Sequence, residues 1–201
     1  MYQRPAKSTT LPHSKRIFDV VMACVGLLCL WPVFLIIILI QKLTTPGPAF
    51  YTQERIGLGG KPFRIIKFRT MPIDAEKEGP QLTNHTTAPE RFTPIGRWLR
   101  RHNLDEMPQL WNVLKGEMSF VGYRPERQYF IDQILQHDPR YTRLYATRPG
   151  ITSEATIYNG YTDTMEKMLR RLEMDLEYLD KQSFTTDLTI IFNTFWAVLK
   201  G

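Results

Sequence analysis

Asp105 and Glu106 are adjacent carboxylates in the run Asn103-Leu104-Asp105-Glu106, just ahead of Leu110, Val113 and Leu114 at helical spacing. Asparagine followed three residues later by glutamate is a helix-start signature, with Asn103 as the cap. Both acids then feel the positive end of the helix dipole, which favours their ionised form. An ionised carboxylate can attack phosphorus or hold a divalent metal. The plain alternative is capping alone, and taken by itself such a pair is more often a cap than a catalyst. The surroundings change that weighting. Arg97, Arg100 and Arg101 lie just upstream, Arg124 and Arg127 follow, Arg148 comes later, and Lys67 and Arg69 come earlier. Guanidinium groups grip phosphate bidentately, and lysine acts as a point charge. Two acids within a basic set are what a diphosphate with a magnesium ion requires, although each arginine alone reads as a solvated surface charge.

The elements that must position these residues can be read in outline. Residues 1–13 are a polar, proline-punctuated arm. Ala49–Arg55 and Lys61–Met71 read as two strands joined by Gly57-Leu58-Gly59-Gly60, a hairpin. Residues 72–94 are polar and turn-rich, a mobile loop of the kind that often carries function. Ile95–Arg101 forms a short helix, and Gly116 ends the helix that the acids begin. Pro125–His137 is a further helix, Arg148-Pro149-Gly150 a turn. Met165–Asp180 is amphipathic, with Met168, Leu169, Leu172, Leu176 and Leu179 in register. Leu188–Leu199 is more apolar, with Phe192, Phe195 and Trp196. It packs in the core or lies at a membrane surface.

Val20 to Ile40 carries no charge and has Trp31-Pro32 near its middle. A run of this length is a membrane-segment candidate, and no cleavage site follows it to suggest a signal peptide. Length fits a kinked single span. Charge argues otherwise, because basic residues near a membrane segment stay inside. Arg4, Lys7, Lys15 and Arg16 precede the run, and Lys42, Arg55, Lys61, Arg64, Lys67 and Arg69 follow it, so both flanks ask for the same side. Pro32 removes one backbone hydrogen bond and crowds the carbonyl of Leu28, which permits a hairpin that enters and leaves on one face. On the residues alone the two topologies stand level.

The formal charge is +6, from 26 basic and 20 acidic side chains. Nucleic acid, an anionic lipid surface and a phosphorylated substrate all fit such a balance. Nucleic acid is the weakest, since no basic tail and no DNA- or RNA-binding signature is present. The only cysteines, Cys24 and Cys29, lie inside the apolar run and read as packing or lipid-facing residues. A remainder free of cysteine suits a cytoplasmic location.

The stretch TPIGRWLRRHNLDEMPQLWNVLKGEMSFVGYRPE, Thr93 to Glu126, closely resembles the core of the monotopic phosphoglycosyl transferases among bacterial sugar transferases. YTQERIG (Tyr51–Gly57), FRIIKFRTM (Phe63–Met71) and RPGIT (Arg148–Thr152) agree in order and spacing, as does an apolar run broken by proline. The resemblance covers roughly residues 14 to 201, and without an added N-terminal membrane bundle the chain looks like the minimal form.

That resemblance implies transfer of a phosphosugar from a UDP-sugar to polyprenol (undecaprenyl) phosphate, giving a polyprenyl diphosphosugar and UMP. It implies Asp105 as nucleophile and magnesium ligand, and Glu106 as its partner in a catalytic dyad. Lys67, Arg100, Arg124 and Arg148 fall at phosphate-binding positions, and Trp31-Pro32 at the break of a re-entrant membrane helix. It further implies the cytoplasmic membrane with the catalytic domain on the cytoplasmic face, contact with membrane lipid, and downstream glycosyltransferases as candidate partners. The expected fold is helix-rich α+β: an arm and re-entrant helix over 1–45, then a catalytic domain over 46–201. That domain has a short β-hairpin and amphipathic interfacial helices. The chain departs from the family pattern at Tyr123, where proline is common. It departs again over Ser153–Tyr161, where a usual arginine is missing and Glu154 is added, a segment tied by position to nucleotide or sugar recognition. Two other classes compete: a lipid-phosphate phosphohydrolase, and a non-catalytic single-span protein binding anionic lipid.

Overall fold

The computed structural model describes residues 13–75, 77, 88–160 and 162–200. Residues 76 and 78–87 of the 72–94 loop lie outside the described residues. Helix α1 (His13–Thr44) carries the apolar run and is assigned continuously through Pro32. Strands β1 (Phe50–Ile56) and β2 (Pro62–Phe68) form the expected antiparallel hairpin, with Tyr51 opposite Lys67 and Phe50 opposite Phe68. Helix α2 (Pro94–Arg101) begins as its sequence suggests: Pro94 stands in the first turn, and the Thr93 hydroxyl accepts from the Gly96 N–H at 3.0 Å.

The stretch after α2 departs from expectation. Asn103 is not a side-chain cap; it adopts a left-handed conformation (φ 54) and makes no capping hydrogen bond. A 3-10 segment (Leu104–Gln109) follows, and α3 (Leu110–Lys115) begins only after it. The reason is local. Asparagine tolerates the left-handed region, and Pro108 has no N–H to give a regular helical ladder. Glu106 is thereby released from capping, and its carboxylate turns to Lys67 and Arg124. Gly116 closes α3 in the left-handed conformation, as expected.

The turn expected at Arg148-Pro149-Gly150 is in part a strand. β3 (Ser119–Val121) and β4 (Gly150–Thr152) pair in parallel. Three-residue strands give no readable alternation. Their register is fixed instead by backbone contact, since a Cβ on Gly150 would stand 2.1 Å from the Gly122 nitrogen. Helix α4 (Gln128–His137), a 3-10 segment (Pro139–Ala146) and α6 (Met165–Lys181) enclose the largest core cluster, where Tyr123, Ile131, Leu144, Leu172 and Leu176 meet. Tyr123, the departure from family pattern, fills that core and donates to the Ile56 carbonyl. Between β4 and α6 lies α5 (Glu154–Tyr158), capped by Ser153. Helix α7 (Phe184–Lys200) ends the described chain. Ile190 is buried on α7, while Phe192 and Phe195 are 65% and 61% exposed.

Helix α1 packs on the rest of the chain along nearly its whole length. Lys15 pairs with Asp187 of α7 at 2.5 Å and donates to the Val121 carbonyl and the Tyr178 hydroxyl. Arg16 donates to the Val113 and Leu114 carbonyls at the end of α3. Asp19 accepts from the Phe120 N–H. Ala23 sits in a cluster with Ile65, Leu110 and Val113, and Ile37 in one with Phe68 and Leu99. Gln41 donates to the Arg69 carbonyl at 2.9 Å. The opposite face, including Ile17, Leu28, Leu35 and Leu39, is exposed.

Candidate active site

Four elements converge on the acidic pair. The 3-10 segment supplies Asp105 and Glu106, β2 supplies Lys67, the end of α2 supplies Arg100, and the chain after β3 supplies Arg124. Asn112 on α3 fastens this arrangement. It is fully buried, and its amide accepts from the Ile66 N–H at 3.0 Å while donating to the Arg64 carbonyl and to Glu117, each at 2.7 Å. The strand bearing Lys67 is thus bolted to the helix that follows the acids.

The two carboxylates are used differently. Glu106 Oε1 accepts from Lys67 Nζ at 2.6 Å and from Arg124 Nη2 at 2.7 Å, and Oε2 accepts from Arg124 Nη1 at 3.3 Å. Asp105 is 1% exposed. Its Oδ2 accepts from Arg100 at 3.3 Å, and its Oδ1 has no hydrogen-bond partner among the described residues. A buried carboxylate oxygen without a donor is costly, and such exceptions in native structures call for a functional account. This oxygen is the one atom of the pair whose lone pairs are not already engaged.

The electrostatics follow from burial and charge. Burial raises Asp105, Arg100 opposes that, and the Glu106 charge adds to it. Burial would also raise Glu106, but Arg124 and Lys67 overcome it and hold that carboxyl well below its ordinary value. Lys67 is pushed down to about 8 by burial, with Glu106 opposing and Arg124 and Arg100 adding. Arg124 is raised by Glu106 and stays charged. Three cations around two carboxylates leave one positive charge in excess, which suits an anionic ligand.

The described residues contain no group of three or more histidine, cysteine, aspartate or glutamate side chains able to cage a metal. Magnesium fits here in another way, since it commonly takes one or two carboxylates and completes its shell with water and substrate phosphates. Asp105 is the carboxylate that would hold such an ion.

Of the residues singled out from sequence, Lys67, Arg100, Arg124, Asp105 and Glu106 come together. Arg148 does not join them. Its Nε donates to the Gly116 carbonyl at 2.8 Å, at the far end of α3. Arg97 donates to the Pro89 carbonyl on the exposed side of α2. Trp31 is exposed on α1. Glu154–Tyr158 forms α5, capped by Ser153 and packed on α6 and α7. Sequence reading missed a buried group behind Arg124, in which Glu126 pairs with both Arg55 and Arg171. It also missed Asp175. The usable signal lay in the helical wheel of α6, where Arg171 and Asp175 are four apart and adjoin Leu172 and Leu176 on the buried face.

A family profile described as bacterial sugar transferase matches residues 10–201. The chain belongs to the bacterial sugar transferase family. Among its relatives is a UDP-glucose:undecaprenyl-phosphate glucose-1-phosphate transferase of Caulobacter vibrioides, 40% identical over 197 residues, or 97% of this chain and 73% of that protein. An Escherichia coli protein of the same name is 42% identical over 93% of this chain. A UDP-N-acetylgalactosamine-undecaprenyl-phosphate N-acetylgalactosaminephosphotransferase of Aeromonas hydrophila is 35% identical over 93%. The chain spans 40% and 44% of the length of those two proteins. Membership places this bacterial sugar transferase among enzymes, and the paired acids with their three cations are the chemistry that such an enzyme has to work with.

Proposed function

We propose that the protein transfers a phosphosugar from a UDP-sugar to polyprenol phosphate through a covalent aspartyl intermediate. The observation that carries this reading is Asp105 Oδ1, a buried, donor-free carboxylate oxygen ringed by cations, in a family whose relatives are named for this class of reaction. In the first step Asp105 Oδ1 attacks the phosphorus that bears the sugar. The bond from that phosphorus to the bridging oxygen breaks, and UMP leaves with the bond's electron pair. In the second step an oxygen of polyprenol phosphate attacks the same phosphorus and Asp105 departs as carboxylate. Splitting the displacement spares two anions a direct encounter.

Lys67, Arg100 and Arg124 bind the phosphates and offset charge as it develops on the leaving oxygen. Asp105 would hold a magnesium ion, which would supply further neutralisation of phosphate charge. Glu106 holds Lys67 and Arg124 in place rather than removing a proton. A phosphate monoester has its second pKa near about 6, so the acceptor is already ionised at neutral pH and needs no base.

Membrane topology supports the same reading. Contacts run from Lys15 to Gln41 of α1, about 39 Å of helix at ~1.5 Å per residue. A straight span across a hydrocarbon core of about 30 Å would put those contacts on opposite sides. We therefore take α1 as a re-entrant element bent at Pro32, entering and leaving on the cytoplasmic face of the cytoplasmic membrane. The exposed apolar side of α7, with Phe192, Phe195 and Trp196, suits the same membrane interface. A lipid phosphate at that depth meets Asp105 by diffusion in two dimensions.

The deciding experiment measures UMP release by the protein in nanodiscs with magnesium, undecaprenyl phosphate, and UDP-glucose or UDP-N-acetylgalactosamine. Release is expected with at least one donor and lost in Asp105→Asn, and sustained turnover by that variant would remove the nucleophile assignment. Free sugar phosphate in place of a lipid product would mean water is the acceptor and the enzyme is a phosphohydrolase. For topology, single cysteines at positions 8 and 60, without Cys24 and Cys29, should label from one side only. Labelling from opposite sides would defeat the re-entrant reading.

A further inference from the structure

Arg124 borders a second polar cluster that the transfer reaction does not use. Asp175 projects from the buried face of α6 and is 3% exposed. One of its oxygens accepts from the backbone N–H of Arg124, and Oδ1 has no partner among the described residues. The hydroxyl of Tyr141, also 3% exposed, is likewise without one. Both side chains line an internal cavity of about 10 Å³, whose other polar walls are Arg124, Glu126 and Arg171. A space of roughly 10–15 Å³ in this measure holds one water, given two to four polar partners. Two orphaned polar atoms on the walls of a water-sized space identify its occupant by chemistry: a water donating to Asp175 Oδ1 and accepting from the Tyr141 hydroxyl.

We infer that this cavity holds a structural water, and that Asp175 is a positioning residue that sets Arg124 and tunes its grip on the donor phosphate. The inference rests on the reading that Arg124 serves phosphate transfer. The segment Arg124-Pro125-Glu126 is fastened to α6 twice, by Asp175 through the Arg124 N–H and by Arg171 through the Glu126 carboxylate. Proline between the two fastened residues adds stiffness. The guanidinium at one end of this clamp is the group that grips Glu106 on both oxygens. A shift of the clamp therefore moves the cation that meets the substrate.

Asp175 can also change its charge near neutrality. Burial pushes it up to about 7, with Arg171 and the Arg124 N–H pulling back and Glu126 adding. The groups facing it are Tyr123, Arg124 and Glu126 from the chain after β3, Arg171 from α6, and Tyr141 from the 3-10 segment after α4; burial, Tyr145 and the Asp175 charge itself raise the Tyr123 phenol. Burial and the nearby Glu126 charge hold the Tyr141 phenol well above its ordinary value; burial would raise Glu126, but Arg171 and Arg55 hold that carboxyl below its ordinary value, and Arg171 pairs with it. An ionised Asp175 adds negative charge beside Arg124 and weakens its pull on a phosphate; a neutral one does not.

The test uses the full chain in nanodiscs with magnesium, undecaprenyl phosphate and UDP-glucose or UDP-N-acetylgalactosamine, reading KM and kcat for UMP release from pH 6 to 9. In the wild type, KM for the donor rises as pH passes about 7. Asp175→Asn, permanently neutral and nearly isosteric, should keep its thermal unfolding midpoint and lose that rise, while retaining any change near pH 8 that belongs to Lys67. Asp175→Ala, which drops the acceptor of the Arg124 N–H, should lose roughly tenfold in kcat/KM. Tyr141→Phe should move KM in the same direction by less. A wild-type KM step in Asp175→Asn, or wild-type kcat/KM in Asp175→Ala, would overturn the inference. The absence of UMP from the wild type itself would instead remove the transfer reading, and this inference with it.

Discussion

Replacing Glu106 with Gln tests the electrostatic order of the site. The change keeps the shape and one acceptor oxygen, and removes the charge that Lys67 and Arg124 share. Lys67 stands at about 8 because burial and two arginines depress it while Glu106 opposes them. At that value it is about nine-tenths protonated at pH 7, and each further unit of depression is worth ~1.4 kcal/mol. Loss of the Glu106 charge, the largest influence keeping the proton on, should take Lys67 down by roughly one to two units. The lysine is then about half to one-tenth protonated at pH 7. If its cation is needed for donor capture, kcat/KM at pH 7 falls roughly two- to tenfold from this cause alone.

The assay is UMP release at subsaturating donor from pH 6 to 9.5. Wild-type kcat/KM should decline about tenfold per unit above pH 8, and the decline should begin at lower pH in the variant. A second readout has the opposite sign. The folded-state value of Lys67 lies below its ordinary 10.5, so between pH 8 and 10.5 the unfolded chain binds more protons and stability rises with pH. Activity and stability of the wild type should thus diverge across that window. An alkaline limb that stays in place or moves upward in Glu106→Gln would refute the assignment of Lys67 as the titrating cation.

Four further outcomes follow from the same geometry. Arg124→Ala should cut kcat/KM by about 10² or more, as loss of an oriented transition-state cation does. Arg148→Ala, which removes only a donor to the Gly116 carbonyl, should lower the thermal midpoint and leave kcat within a few-fold. Asn112→Ala strands the Ile66 N–H and the Arg64 carbonyl; at ~1–3 kcal/mol for each buried group left unpaired, it should destabilise the protein measurably by thermal unfolding and lower kcat with Asp105 intact. Chelation of magnesium should abolish UMP release and leave the midpoint almost unchanged, since the described residues form no protein cage for a metal.

The fold was legible where periodicity or turn chemistry is strong: the hairpin, α2, α6 and α7. β3 and β4 were not, because three residues carry no alternation and the pairing depends on two glycine backbones in contact. The acidic pair was legible as residues but not as geometry. A helix start at Asn103 would have used Glu106 as a cap; Pro108 defers α3, and the carboxylate is freed for Lys67 and Arg124. Arg148 was grouped with the phosphate binders through its place in a motif, while position in space ties it to the end of α3. Asn112 and Glu126 were invisible because nothing in their spacing reveals that a polar residue is buried with a partner far along the chain, while the only sign of Asp175 was its place on the apolar side of the α6 wheel.

The flanking charges of the apolar run show how a correct kind of argument can rest on the wrong residues. Lys15 and Arg16 are two of the four basic residues on the N-terminal flank. Both are spent within the fold, Lys15 in a buried pair with Asp187 and Arg16 on the carbonyls that end α3. A lysine neutralised by a buried aspartate is a poor topogenic charge, so the charge symmetry that suggested a hairpin is weaker than it looked. Packing supplies a stronger reason. The residues that touch the domain recur from Lys15 through Ala23 and Ile37 to Gln41, while Leu28, Leu35 and Leu39 face outward. A lone helix spanning the bilayer would leave no room for this polar domain beside it at mid-depth. One that keeps a protein face throughout can only enter the membrane as far as the domain beside it allows. On the proposed re-entrant placement, the depth of Asp105 relative to the lipid phosphates follows from the same contacts, including the buried pair. Lys15→Met should therefore reduce turnover with undecaprenyl phosphate in nanodiscs more than turnover with a short, soluble polyprenol phosphate, and equal losses with both acceptors would detach anchor packing from catalysis.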